Sequence, residues 1–411
     1  MLPTLIKIQY ALVLSYAAVM ALSLSPNLQA QDRSKIVLVH YMPWYASKPA
    51  SGHWGWHWTM NHFDPDEITS EGQRNIASHD YPLIDLYDSN DPDALECHVL
   101  LMKFGGIDGA IIDWYGKEQF RDYADLHRNT RHFIRHIRRA GLRFAICYED
   151  QTVQHMIEAD FLPDQQNVSY GHQVMQWLAD TWFHDKAYVK LDKRPVLLIF
   201  GPQYFKKQQW AQIVPSVSPR PLLFGLPHLS QQTGMDGAFG WPPVTGGREV
   251  VPNVWRKYLG SLHARSDAGE SVISVAFPGF HDIYRQAELH DSYGTIDDRN
   301  GATFAETLET ALRSKSRIIQ VATWNDYGEG TVIEPTRAAG YRYLEQLQKH
   351  AAAKRKFRPE DLRLPVMLYQ MKKKQSPGSL QIARLKKATD LLFAGECVKA
   401  RLLLETAAKE N

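Results

Sequence analysis

Eight short runs of β-branched and apolar residues, each bounded by turn-forming residues, recur along this 411-residue chain. They occupy residues 36–40, 109–114, 143–148, 195–200, 221–225, 237–241, 272–277 and 318–323. Several are almost unbroken Val, Ile, Leu, Ala and Phe, the pattern of strands buried on both faces of a parallel sheet. Between them lie stretches of helical periodicity at 94–104, 123–140, 174–183 and 302–314; in the first, Leu95, Val99 and Met102 fall on one face. Eight strands alternating with helices define an α/β chain and predict a (β/α)8 TIM barrel. Hydrophobic residues at 44% and charged residues at 22% supply the core such a barrel needs.

The two ends read differently. Lys7 is the only charge in the first thirty residues, and an apolar stretch from about Tyr10 to Leu24 precedes Leu28-Gln29-Ala30. That order predicts a signal peptide over residues 1–30, cut after Ala30, and hence an exported protein, periplasmic or extracellular. An uncleaved signal anchor is the alternative; no stable membrane insertion is expected once the leader is removed. The catalytic domain is then 31–353, and 354–411 is a small basic helical C-terminal extension. From residue 351 onward there are 14 Lys/Arg against 6 Asp/Glu. Lys372-Lys373-Lys374 and Ser376-Pro377-Gly378 read as a linker. Two short amphipathic helices broken at Gly395 follow, and the extension is expected to pack on the barrel.

A parallel barrel brings the C-terminal ends of its strands to one mouth. Those ends carry Tyr41 and Trp44, then Asp113, Trp114 and Tyr115, then Tyr148, Glu149 and Asp150, then Phe280, His281 and Asp282. The eighth run enters Trp324-Asn325-Asp326-Tyr327-Gly328-Glu329-Gly330, which places two acids three residues apart between aromatic rings. Paired carboxyls are the working parts of most glycoside hydrolases. One must stay protonated to deliver a proton to the departing oxygen, and crowded acids push each other's pKa values apart. Glu329 is therefore the expected general acid and Asp326 the base. Asp113 and Asp150 serve equally well as acceptors holding loop amides. The loop after the first strand, with Trp44, Tyr45, Trp54, Trp56 and Trp58 among His53, His57 and His62, offers flat faces and ring N–H groups suited to sugars.

Other chemistries find less support. Seventeen histidines are many, yet their spacing has no zinc-enzyme context; His53 and His57 lie in a Gly/Trp loop. No metal and no cofactor is implied. Gly105-Gly106 and Gly246-Gly247 lack the dinucleotide fingerprint, and there is no GxSxG elbow. A net charge of +2 does not suggest a nucleic-acid partner. Cys97, Cys147 and Cys397 are too few for a disulfide scaffold and are expected as free buried thiols.

Three segments resemble the barrel enzymes of glycoside hydrolase families 99 and 71. They are Val39-His40-Tyr41-Met42-Pro43-Trp44-Tyr45, Ile112-Asp113-Trp114-Tyr115-Gly116, and Trp324 through Thr331 with Glu334-Pro335. The resemblance spans roughly residues 35 to 350. Family 99 implies endo-α-mannosidase or α-mannanase activity with retention. Its two acids act as a base on the sugar 2-hydroxyl and as acid/base, through an anhydro-sugar intermediate. They map to Asp326 and Glu329, with Tyr41, Trp114 and Glu149 as substrate contacts. Trp44, Trp56, Asp113, Trp324, Asn325 and Tyr327 complete the expected substrate-binding set. One position departs: family 99 carries Glu where this chain has Asp326, which is closer to the inverting α-1,3-glucanases of family 71. The sequence thus predicts a glycosidase of α-linked oligo- or polysaccharides. An exo-acting glycosidase and a non-catalytic glycan-binding barrel remain the alternatives.

Overall fold

The computed structural model describes residues 35–351, 357–374 and 379–409. The leader, the Ser376-Pro377-Gly378 segment and the 353/354 boundary fall outside these residues. From Ile36 onward the chain forms one compact unit.

Eight parallel strands close into a barrel: β1 (Ile36–Tyr41), β2 (Gly109–Trp114), β3 (Arg143–Tyr148), β4 (Arg194–Ile199), β5 (Leu222–Gly225), β6 (Gly237–Phe239), β7 (Ser271–Ala276) and β8 (Ile318–Val321). β8 pairs with β1 from Ile36↔Ile318 to Val39↔Val321, and β3 meets β4 at Ile146↔Leu197, so no barrel edge is left open. Strand alternation sorts the side chains. Leu38, Ile111, Ala145, Val196, Leu198, Phe224, Phe239, Ile273 and Ile318 fill the lumen. Val39, Ala110, Ile112, Phe144, Ile146, Leu197, Ile199 and Val321 belong to the outer layer under the helices. Both faces are dry, which is why the runs read as continuously apolar. Gly109 is required where β2 crowds β3: a Cβ there would lie 2.0 Å from the Arg143 carbonyl oxygen.

Helices Pro92–Phe104, Tyr123–Ala140, Asn167–Leu178, Pro252–Asp267, Ala302–Arg313 and Arg342–Ala351 contribute to the outer layer. A small sheet of Arg248–Glu249, Phe280–His281 and Gly294–Ile296 backs the mouth beside β7. All three cysteines are free and buried.

The extension contains the helices Arg363–Lys373, Ser379–Phe393 and Cys397–Lys409, the last two separated at Gly395, which takes φ +79°. Leu385, Ala388, Leu392, Ala400 and Leu404 join the main core, so the extension packs on the barrel. The reading of Lys372-Lys373-Lys374 as linker is overturned. Lys372 and Lys373 end a helix and pair with Asp91, Asp93 and Glu96 around the first turns of Pro92–Phe104. Acids at a helix start attract cations from a neighbouring helix end, and here that charge complementarity ties tail to barrel. No helix among the described residues is long and apolar enough to cross a membrane.

Candidate active site

The mouth of the barrel holds a pocket of about 180 Å3 lined by His40, Met42, Trp44, Tyr45, Trp56, His57, Met60, Asp113, Tyr115, Glu149, Phe200, Trp241, Tyr284, Asp326, Gly328 and Glu329. Four carboxyls converge there, and neither Lys nor Arg is in the wall. Trp44 and His57 stack face to face, 4.0 Å apart and 3° from parallel, to form one side. A second cavity of about 910 Å3 shares Trp44, Tyr45, Trp56, His57, Tyr115 and Glu149 with the pocket. It continues past Trp54, Arg121 and His155, giving a groove that can hold several linked residues.

Both expected catalytic acids lie in the turn after β8. Asp326 is 4% exposed, and its Oδ1 accepts the Glu329 backbone N–H at 3.1 Å. Burial raises its pKa to about 7, against the pull of the Glu329 and Gly328 amides. Glu329 is half-buried and its pKa is pushed up by burial, then by Asp326 and Asp282; the Trp241 indole opposes the rise. Its Oε2 has no hydrogen-bond partner. The two carboxyls therefore differ in kind: backbone donors favour the anion at Asp326, whereas Glu329 faces the pocket with an undonated oxygen. Glu149 rises to about 8 through burial, Asp150 and Asp326. Asp113 rises through burial, Glu149 and Asp326. His40 is held neutral, its pKa lowered by burial to about 4.

The turn is fixed from both sides. The His281 amide donates to the Glu329 carbonyl at 2.9 Å and the Ile283 amide to Gly328 at 3.0 Å. Gly330, at φ +66°, sits where a Cβ would come within 2.7 Å of the His281 carbonyl oxygen. Beneath the turn, the Glu334 carboxylate accepts from the Tyr87 hydroxyl at 2.9 Å, from Tyr327 at 3.1 Å and faces His98 Nε2 at 3.0 Å.

Six of the eleven expected site residues line the pocket: Trp44, Trp56, Asp113, Glu149, Asp326 and Glu329. Five do not. Tyr41 and Trp114 are odd-parity partners of His40 and Asp113, so strand alternation turns them outward, away from the mouth. Tyr41 stacks on Phe133 at 3.8 Å and meets His98 Nδ1 through its hydroxyl. Trp114 packs on Trp177 and donates to His127. In the turn itself, Trp324 is buried against His98. Asn325 acts as a backbone surrogate, accepting from the Met42 amide at 2.8 Å and donating to its carbonyl at 3.0 Å. Tyr327 bonds Glu334. Of the loop tryptophans, Trp58 is core, while Trp54 borders the larger cavity. Asp150 is a structural acceptor of three amides, from Gln203, Tyr204 and Phe205. Asp282 holds the Ser292 hydroxyl and the Tyr293 amide. Sequence reasoning missed His40 and Phe200, which the same parity argument could have found, and Tyr284, for which the sequence carried no signal.

A barrel whose mouth gathers carboxyls between aromatic walls has the form of a carbohydrate-active enzyme, and comparison with known proteins agrees. A family described as a domain of unknown function (DUF5010) matches residues 239–363. The mouse glycoprotein endo-α-1,2-mannosidase is 25% identical over 336 residues, covering 74% of this chain and 69% of the relative. The human glycoprotein endo-α-1,2-mannosidase-like protein is 22% identical over 347 residues, covering 75% and 70%. Among solved structures, the GH99 endo-α-mannosidase of Bacteroides thetaiotaomicron superposes with TM-score 0.58 at 19% identity, covering 77% of this chain and 96% of that one. A glycoside hydrolase-like protein superposes with TM-score 0.55 at 14% identity, covering 77% and 93%. The chain is a glycoside hydrolase by its relatives, and it is similar to the family 99-like group. The family 71 side of the resemblance gains nothing from these relatives.

Proposed function

We propose that this protein is an exported endo-acting glycosidase of α-mannosyl glycans, with Asp326 and Glu329 as its working carboxyls. The observation that carries this reading is the asymmetry of the two acids. Asp326 is braced by the amides of its own turn, and Glu329 presents to the same pocket a proton-retaining carboxyl whose Oε2 accepts no hydrogen bond. Asp326 takes the proton of the 2-hydroxyl, and that oxygen closes on the anomeric carbon. Glu329 gives its proton to the leaving oxygen as the glycosidic bond breaks. The anhydro sugar is then opened by water, which returns one proton to Glu329 while Asp326 restores the hydroxyl. Glu149 and Asp113 face the sugar, and Trp44 with His57 forms its stacking wall. The names of the mouse and human relatives support the mannosyl substrate and the endo mode, and the groove beyond Trp56 supports internal cleavage. The leader-like first thirty residues support export.

Digestion of an α-glycan panel, α-mannans and α-1,3-glucan included, with the product anomer followed by proton NMR, tests this reading. Oligosaccharide products with the α-anomer released first are expected from α-mannans. Glu329→Gln should lower kcat by about 10^3 or more while the protein folds and binds sugar normally. Near-normal turnover in that variant refutes the assignment, and initial release of the β-anomer refutes the retaining mechanism.

A further inference from the structure

Where the pocket meets the barrel lumen, three side chains form a cluster to which the proposed hydrolysis assigns no proton-transfer role. His40, Asp113 and Cys147 project inward from the neighbouring strands β1, β2 and β3, with Asp113 and Cys147 opposite each other in register. One donor atom from each lies within 4.8 Å of the other two, and all three side chains are buried. An imidazole, a carboxylate and a thiol are the set that a borderline-soft divalent cation selects, with zinc taking such ligands at about 2.0–2.3 Å. Donors held this close need to contract by only roughly 1 Å to reach tetrahedral spacing.

Two further observations point to a ligand. Both oxygens of Asp113 are buried and have no hydrogen-bond partner, although the side chain is only 1% exposed. A carboxyl orphaned this way is among the least favourable groups to leave without a partner. His40 is also orientated as a metal-binding imidazole is orientated. Gln320 Nε2 donates to the Gly240 carbonyl at 2.9 Å, so its Oε1 is the atom that meets His40 Nδ1 at 3.3 Å. Nδ1 then carries the hydrogen, and Nε2 is left with its lone pair. Outer residues that fix the tautomer in this way are the usual support of a metal-bound histidine.

We propose that His40, Asp113 and Cys147 form an inhibitory site for a thiophilic divalent cation such as Zn2+ or Cd2+. His40 and Asp113 also line the catalytic pocket beside Glu149 and Asp326, so the open coordination position faces the space the sugar must fill. Occupation therefore blocks the pocket and binds the carboxyl-rich wall that the substrate would meet. The blocking half of the proposal rests on the glycosidase reading; the binding half does not.

The test is titration of the chelator-treated full chain with Cd2+, read by the cadmium–thiolate absorption band. One equivalent is expected to saturate it. Cys147→Ser should abolish the band and Asp113→Asn should weaken binding at least tenfold, whereas Cys97→Ser and Cys397→Ser leave it unchanged. Circular dichroism establishes that each variant is folded, and Cys147→Ala serves if the serine hydroxyl is not accommodated. No band, or one that survives loss of Cys147, overturns the site. In parallel, Zn2+ should inhibit glycan hydrolysis at the concentration that competes with Cd2+, reversibly by chelator, and Cys147→Ala should hydrolyse normally and resist it. Stoichiometric binding without inhibition overturns the blocking half. Failure of every α-glycan to turn over overturns the glycosidase reading and leaves the cadmium result to judge the site by itself.

Discussion

Replacement of Glu334 probes how the turn carrying Asp326 and Glu329 is held. Its carboxylate is 1% exposed and meets three donors from three parts of the chain: Tyr87 after the aromatic loop, His98 on the helix Pro92–Phe104, and Tyr327 within the turn. Tyr87 in turn accepts from Asn325 Nδ2 at 3.0 Å, so the network reaches both residues flanking Asp326. Removing one member of a buried charged network costs about 3–5 kcal/mol, because the remaining groups stay buried without partners. Set against a total stability of about 5–15 kcal/mol for a domain, Glu334→Ala is expected to remove a substantial fraction of it. Glu334→Gln is the more informative change. It keeps the volume and one acceptor oxygen but turns an amide N–H2 toward hydroxyl and imidazole donors, for an expected loss of about 1–3 kcal/mol. Because a misplacement of about 1 Å at a reacting group can cost about 10^2 in rate, kcat should fall by that order while KM changes little. Urea unfolding followed by tryptophan fluorescence gives the first quantity, and steady-state kinetics on the preferred glycan gives the second. A Glu334→Gln protein with stability within about 0.5 kcal/mol of the parent and unchanged kcat refutes the argument that this carboxylate positions the turn.

Asp150→Ala strips the acceptor from three amides of the segment after β4, and should cost about 3 kcal/mol in urea unfolding, with Asp150→Asn recovering part; a loss under about 1 kcal/mol contradicts the role given to it. Trp44→Ala should raise KM with a modest loss of stability, since the ring is half-buried and lines the pocket. Trp114→Ala should cost about 3–5 kcal/mol and leave KM unchanged, and the reverse pattern refutes the assignment of wall and core. The pH dependence of stability follows from Glu149, whose pKa is raised to about 8 in the folded chain. Its ordinary value is near 4.3, so above that the folded state binds more protons than the unfolded one, and stability falls as pH rises toward 8. From pH about 6.5 to 8, past the histidine titration, Glu149→Gln should gain thermal stability relative to the parent; a difference that stays flat across this window counts against a raised Glu149.

The barrel was legible because each of its strands is dry on both faces. A strand with no wet side has no reason to interrupt its apolar run, so residues 109–114 and 143–148 announced their bounds as the structure has them. The weakest elements were those whose burial comes from elsewhere. β6 is only Gly237–Phe239, and Trp241 just beyond it lines the pocket. The helix Pro252–Asp267 escaped notice because it buries only Trp255, Leu259 and Leu262 and exposes Val254. The triple lysine was misread because local composition describes a solvated tail equally well. What decides its structure is Asp91, Asp93 and Glu96, some 280 positions earlier in the chain.

At the site the acids were legible and the aromatics only in part, Trp44 and Trp56 lining the pocket and Tyr41, Trp114, Trp324 and Tyr327 not, for a reason rooted in strand geometry. A carboxyl in this chain is costly to bury, so an acid at a strand end must face either the mouth or a dedicated set of donors. Asp113, Glu149, Asp326 and Glu329 took the first course, Asp150 and Asp282 the second. An aromatic ring is at home on either side of the wall, so its type alone says nothing about direction. Parity decides instead: β1 sends His40 inward and Tyr41 outward, and β2 does the same with Asp113 and Trp114. The outward rings still bear on the site, since Tyr41, His98, Glu334 and Tyr327 form one buried chain of contacts ending at the turn that carries Asp326 and Glu329. The residues at these positions therefore answer two different demands. Some line the pocket, and others hold in place the residues that do. The sequence signature alone cannot separate them, whereas the split between KM and kcat in the Trp44 and Glu334 variants can.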